Sequence, residues 1–204
     1  VVGISAGIGV FKGIIDSAPD ISKINVTPTD LYTTVLYSDD TYCTKFVAAG
    51  SNRKYVSIDE VPKDLQNAFV AIEDERFYKH NGIGLHGIGR ALVECIKARD
   101  LSQGASTITQ QLAKTLYPRE DVSSRIPGGS MVKMVWIKLK EWITAVKLER
   151  NYTKDEIMNM YMNQVFFGSN AYGIKAAAQT FFGKSPIDLT VEEAATLVGM
   201  VNKP

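Results

Sequence analysis

With 204 residues, 45% of them hydrophobic, the chain is long enough to bury a core of its own, and its size fits one domain or one domain with a small appendage. A formal charge of +1 argues against a nucleic-acid partner, for which a large basic excess supplies most of the affinity, so any cationic patch must be local. The two cysteines, Cys43 and Cys95, fall in different predicted elements without metal-ligand spacing and read as small hydrophobes, with a disulfide between them left open.

Residues 1–11 form an apolar run, interrupted by Gly3, Gly7 and Gly9, that is too short to span a bilayer alone. Followed by Lys12 and a polar stretch, it reads as the last turns of a transmembrane anchor over 1–15, the alternative being a fraying terminal helix. A linker with a small β element is expected over 16–60. There the runs 31–37 and 41–47 flank the turn residues Ser38, Asp39 and Asp40 and predict a hairpin, and a third run at 55–57 would extend it. Ser51 with Lys54, and Ser130 with Lys133, match a Ser-x-x-Lys acylation pattern, but no Lys-Thr-Gly accompanies them and both are coincidences.

Beyond residue 60 the pattern is helical. Pro62 suits the first turn of a helix on which Leu65, Phe69, Ile72 and Arg76 share a face. On its last turns residues 73–82 gather three carboxylates, an imidazole and two aromatics. At about 100° per residue Glu73 lies at the flank of the apolar stripe and Asp74 nearly opposite. A half-desolvated carboxylate of this kind has its proton affinity raised towards what a general base needs. The plainer reading is a helix end solvated by charges, with His80 capping it ahead of Asn81 and Gly82.

A second helix is expected over 86–99, where Ile88, Leu92, Cys95 and Ile96 recur at helical spacing and Arg90 is carried along. Gly104 breaks the pattern, and Ser106 is placed to cap a third helix with Ile108, Leu112 and Leu116 as its buried stripe. Ser106, Thr107, Thr109, Gln110 and Gln111 crowd its N-terminus, where free N–H groups favour an anion, and Lys114 follows a turn later. Pro118, Pro127, Gly128 and Gly129 make 117–130 a loop or mobile flap. A long helix over 131–150 sets Lys133, Lys140 and Lys147 against Met131, Val135 and Trp142. Lys138 and Glu141 lie beside its apolar arc and read as a structural ion pair unless a second carboxylate faces them. Thr153 with Glu156, and Thr190 with Glu193, spell capping boxes, and an Ala-rich helix over 173–182 is stopped by Gly183.

Five motifs in order resemble those of the peptidoglycan glycosyltransferases, the family 51 glycosyltransferase domain of class A penicillin-binding proteins and monofunctional transglycosylases. They are Glu-Asp-x-x-Phe-x-x-His-x-Gly at 73–82, Gly-x-Ser-Thr-Ile-Thr-Gln-Gln at 104–111, Lys-x-x-Glu at 138–141, the run 155–163 and the segment 199–204. The resemblance implies a mainly α, lysozyme-like helical domain over 61–204 with a mobile, membrane-facing jaw. It also implies polymerisation of lipid II with inversion at the anomeric carbon, on the outer face of a bacterial cytoplasmic membrane. Glu73 matches the catalytic base and Glu141 the second acid. Asp74, Phe77, His80, Arg90, Ser106, Thr107, Gln110, Gln111, Lys114, Lys138, Lys140 and Asn202 match substrate-binding positions. The partners implied are lipid II, the growing glycan strand, the membrane and, in a bifunctional parent, a C-terminal transpeptidase domain. No cofactor is implied beyond room for a divalent cation, Mg or Mn, at the pyrophosphate.

Ile137 stands where the family usually has Arg, Gly84 replaces a commonly acidic position, and the 117–130 loop is longer than usual. The alternatives are a lysozyme-fold glycan-cleaving enzyme and an inactive module that binds wall precursors. A cleaving enzyme needs no cations for a pyrophosphate, whereas residues 111–154 hold nine Lys and Arg against four carboxylates, which favours the polymerase.

Overall fold

The computed structural model describes residues 13, 21, 33–46, 52–84, 106–117 and 130–201, with the side chains of 45, 46 and 130–135 outside that description. The elements are β1 (Thr33–Leu36), β2 (Tyr42–Phe46), α1 (Lys63–Glu73), α2 (Ile108–Leu116), α3 (Ser130–Asn151), α4 (Lys154–Gln164), α5 (Ile174–Phe182) and α6 (Val191–Val201), with 3-10 turns at Ile58–Glu60, Phe77–Lys79 and Pro186–Asp188. Among the described residues the architecture is mainly helical with one small two-stranded sheet, as expected. The predicted anchor, apart from Gly13, and the predicted helix over 86–99 lie outside the described residues.

The chain divides into two compact units, Val1–Ile24 with Phe77–Thr153 and Asn25–Arg76 with Lys154–Pro204. In the second unit β1 and β2 pair antiparallel, Thr33 opposite Phe46, with a register irregularity between Val35 and Leu36. Asp39 makes the turn by accepting bonds from the Thr41 amide at 3.0 Å and its hydroxyl at 2.6 Å, while Asp40 takes φ 63°. Cys43 on β2 is a free, half-buried thiol.

The expected third strand at 55–57 does not form. Asn163 of α4 takes the place of a partner strand, accepting from the Val56 amide at 2.9 Å and donating to its carbonyl at 2.8 Å. A side-chain amide carries the same donor and acceptor pair as a peptide group, so the backbone of Val56 is satisfied without a sheet.

Helix α1 starts after Pro62, which stands one residue outside the first turn and whose carbonyl accepts from Gln66 N at 3.1 Å. Its buried face is Leu65, Gln66 and Phe69, whereas Ile72, predicted to share it, is 51% exposed. Gln66 is tolerated inside because its Nε2 donates to the carbonyls of Ile58 and Val61 at 3.1 and 2.9 Å. Phe69 meets Tyr161 and Phe167 edge-on at 5.8 and 6.3 Å, and α1 packs against α6 through a core that includes Leu197 and Val198. Gly173 begins α5 at φ 82°, where a Cβ would stand 2.7 Å from the Asn163 carbonyl oxygen, so only glycine fits. Thr190 and Glu193 form the predicted capping box of α6, with bonds of 2.9 and 3.3 Å.

In the first unit α2 packs on α3. The buried face of α3 is Glu141, Thr144, Ala145 and Leu148, whereas Trp142, predicted to line its apolar face, is only half-buried.

Candidate active site

Glu73 is the last residue of α1 and is half-buried, and its Oε1 is shut off from solvent. Backbone carbonyls converge at a helix C-terminus, an electrostatically poor place for a carboxylate that is nevertheless held there. Asp74 closes the helix, its amide bonded to Val70 O at 3.0 Å, and its side chain is half-buried. Tyr161, buried on α4, feels the Glu73 charge: burial first, and then that carboxylate, push its phenol above the usual range. Nothing in the helical pattern of α4 marked Tyr161 as more than core, because periodicity reports burial and not what a buried hydroxyl faces.

The cluster 73–82 does not continue as α-helix. After Asp74 it turns and tightens into the 3-10 segment, and the division between the two units falls at Arg76 and Phe77. Phe77 is fully buried, with the rings of Tyr78 and His80 edge-on to it at 5.0 and 6.4 Å. His80 is half-buried, and its Nδ1 accepts the Gly82 amide at 3.1 Å, which puts the neutral ring's proton on Nε2. Gly82 takes φ 84°, and a Cβ there would come within 2.8 Å of the Ala145 carbonyl oxygen of α3. The motif glycine is thus required by a backbone approach.

The cap of α2 is Thr107, not Ser106. Thr107 is extended at φ −72° and ψ 162°, and its Oγ1 accepts from Gln110 N at 3.1 Å while the Gln110 side chain reaches back to Thr107 N at 3.4 Å. Thr three residues before Gln is itself a capping-box pattern, so the signal was present in the sequence one position later. The same two side chains hold the first motif: Thr107 Oγ1 and Gln110 Nε2 both donate to the Gly82 carbonyl, at 2.8 and 3.3 Å. Thr109 is buried and donates to Glu149 Oε1 at 2.6 Å.

Phe77, Thr107 and Gln110, matched to substrate positions, are therefore turned into the protein, where they fix the loop that carries His80 and Gly82. Ser106 and Gln111 are half-buried and Lys114 is exposed. Lys138 and Glu141 form the ion pair that their spacing predicts, at 2.9 Å, with Glu141 9% and Lys138 34% exposed. The pair opens to solvent on its Lys138 side and is not sealed in a closed core. Lys140 is half-buried, and Arg90 and Asn202 lie outside the described residues. Among the described residues no three carboxylate, imidazole or thiol groups gather as a metal cage, so none is assigned a metal. No described helix is long and apolar enough to cross a membrane.

The model of the family described as Transglycosylase matches residues 39–204. Penicillin-binding protein 1F of Bacillus subtilis is 44% identical over 153 residues, 75% of this chain and 20% of the relative. Penicillin-binding protein 1A/1B of the same organism is 40% identical over 207 residues, 100% of this chain and 21% of the relative. A putative transglycosylase of Cupriavidus necator is 43% identical over 150 residues, 74% of this chain and 60% of the relative. The chain spans about a fifth of the length of the penicillin-binding proteins it matches. With the family model covering most of its length and the five motifs in order, the chain belongs to the transglycosylase family, the peptidoglycan glycosyltransferases.

Proposed function

We propose that the chain polymerises lipid II into β-1,4-linked glycan strands with inversion at the anomeric carbon and release of undecaprenyl pyrophosphate. The observation that carries this reading is Glu73, a carboxylate held at a helix end with one oxygen shielded from water and a buried phenol nearby. Glu73 removes the proton from the acceptor 4-hydroxyl as that oxygen attacks the donor's anomeric carbon. The bond from that carbon to the pyrophosphate breaks on the opposite face, and the electron pair leaves with the phosphate. Lys114, Lys140 and Arg90 offset the charge that develops there, and Glu141, fixed by Lys138, is the second acid. Thr107, Gln110 and Phe77 position the first motif and need not touch substrate. Ser106 and Gln111, nearer solvent, are the better contacts. A divalent cation, if the pyrophosphate brings one, would be held largely by the phosphates.

The assay is the purified chain with lipid II, resolved on a gel. Polymerised strands support the reading, cleavage of a preformed strand assigns a lytic enzyme, and binding without turnover assigns a precursor-binding module. Contact of residues 117–136 with the bilayer on the extracytoplasmic face belongs to the same proposal. Charges introduced at Val135 and Trp136 should weaken co-sedimentation with liposomes, and unchanged co-sedimentation would remove the membrane contact.

A further inference from the structure

Tyr161 is 2% exposed on α4, yet it carries a hydroxyl into a core that elsewhere takes Phe69 and Phe167. Burying a hydroxyl is costly unless it is put to use, so a phenylalanine would be the cheaper filling for the same space. Its ring lies edge-on to Phe69 at 5.8 Å and 87°. Phe69 and Glu73 are four residues apart on α1, and residues at that spacing share a helix face. Tyr161 therefore packs against the face of α1 that Phe69 shares with Glu73, and the Oε1 of Glu73 is itself buried. The phenol is held above its usual range by burial and by the Glu73 charge, so near neutral pH it is an intact O–H group.

We propose that Tyr161 is a positioning residue for Glu73, its buried phenol fixing where the carboxylate sits as it accepts the proton of the acceptor hydroxyl. This rests on the reading of Glu73 as the base. A fixed dipole in a water-poor site acts on a charge more strongly than mobile water does, and it needs no reorganisation during the reaction. The other charged groups on the elements packed against α1 are at a distance along the chain. Glu192 and Glu193 begin α6, with Glu193 bonded to Lys184, while Lys154, Asp155 and Glu156 occupy the first turn of α4, well before Tyr161. Asp74 and Arg76 follow Glu73 on its own segment.

The test is Tyr161→Phe in the whole chain, assayed with lipid II across pH. The ring and its contact with Phe69 survive this change, so the melting temperature should move little. We expect kcat to fall roughly 10-fold with KM within about twofold, and the acid limb of the kcat/KM profile to move to higher pH because the carboxylate has lost a stabilising dipole. Phe69→Leu, which loosens the same packing but spares the hydroxyl, should leave that limb in place. Unchanged kcat and an unmoved limb in Tyr161→Phe overturn the proposal. Should that variant fail to fold, 3-fluorotyrosine at 161 keeps the shape with a stronger donor and should move the limb to lower pH, and no movement again overturns it. The two layers separate cleanly: activity retained in Glu73→Gln removes the base itself, whereas an inactive Glu73→Gln with a normal Tyr161→Phe removes only the role of the phenol.

Discussion

Glu73 and Glu141 are both carboxylates that a solvated helix face would not hide, and each sits in a different compact unit of the chain. Glu141 has a cation one helical turn away, and the 2.9 Å bond to Lys138 accounts for its burial. Glu73 stands four residues after Phe69, whose ring meets that of Tyr161, and the Tyr161 phenol responds to its charge. A carboxylate bonded to a cation has its charge offset where it stands, whereas one at a helix C-terminus faces carbonyl dipoles that oppose its charge. Spacing in sequence marks where carboxylates stand, while their neighbours decide what each can do.

The largest effect expected is in Glu73→Gln. Size and most hydrogen bonds are kept while the proton acceptor is removed, so polymerisation should fall at least ~100-fold, with an unchanged melting temperature. Near-normal turnover in that variant would put Glu73 on the same footing as any surface acid and end the contrast with Glu141. Next in size is the ion pair. Lys138→Met removes the cation bonded to a mostly buried carboxylate and should cost about 1–2 kcal/mol of stability, less than a fully buried pair because Lys138 is 34% exposed. The double variant Lys138→Met with Glu141→Leu should recover most of that loss. A stable, inactive double variant makes the Lys138–Glu141 pair a participant in the reaction, and a stable, active one makes it purely structural.

Much of this was legible in the sequence, and the parts that were not share a cause. The hairpin, the helix ending in the first motif, the capping box at Thr190 and the pairing of Lys138 with Glu141 depend on residues a few positions apart, and local spacing encodes them. The failures need contacts distant along the chain. The run 55–57 read as a third strand, yet Asn163, 107 residues from Val56, supplies the bonds of its backbone. Thr107 and Gln110 crowd a helix start, and nothing local shows what else they bond. Their acceptor is the Gly82 carbonyl, 25 and 28 residues upstream. Ile72 matched the period of the apolar face but falls near the end of α1, where it is 51% exposed.

The smallest effect serves as the control for the comparison, since Glu193 is a carboxylate whose setting is structural throughout. Its carboxyl is held below the usual value of 4.5, first by the Lys184 ammonium at 2.7 and 2.9 Å and then by the Thr190 amide. A folded-state value below the unfolded one means that the contribution is fully present above about pH 4.5 and is lost as pH falls through the folded value. Melting temperature should therefore drop between about pH 5 and pH 3 partly on account of this cap, and Lys184→Met should flatten that part of the curve by weakening the shift. Turnover near neutral pH should be untouched, because Glu193 is ionised there in either protein. If Lys184→Met left the acid part of the stability curve unchanged but altered the acid limb of activity, charge on α6 would be reaching the reacting carboxylate. The contrast between a structural and a reacting carboxylate would then have to be redrawn around the packing of α6 on α1.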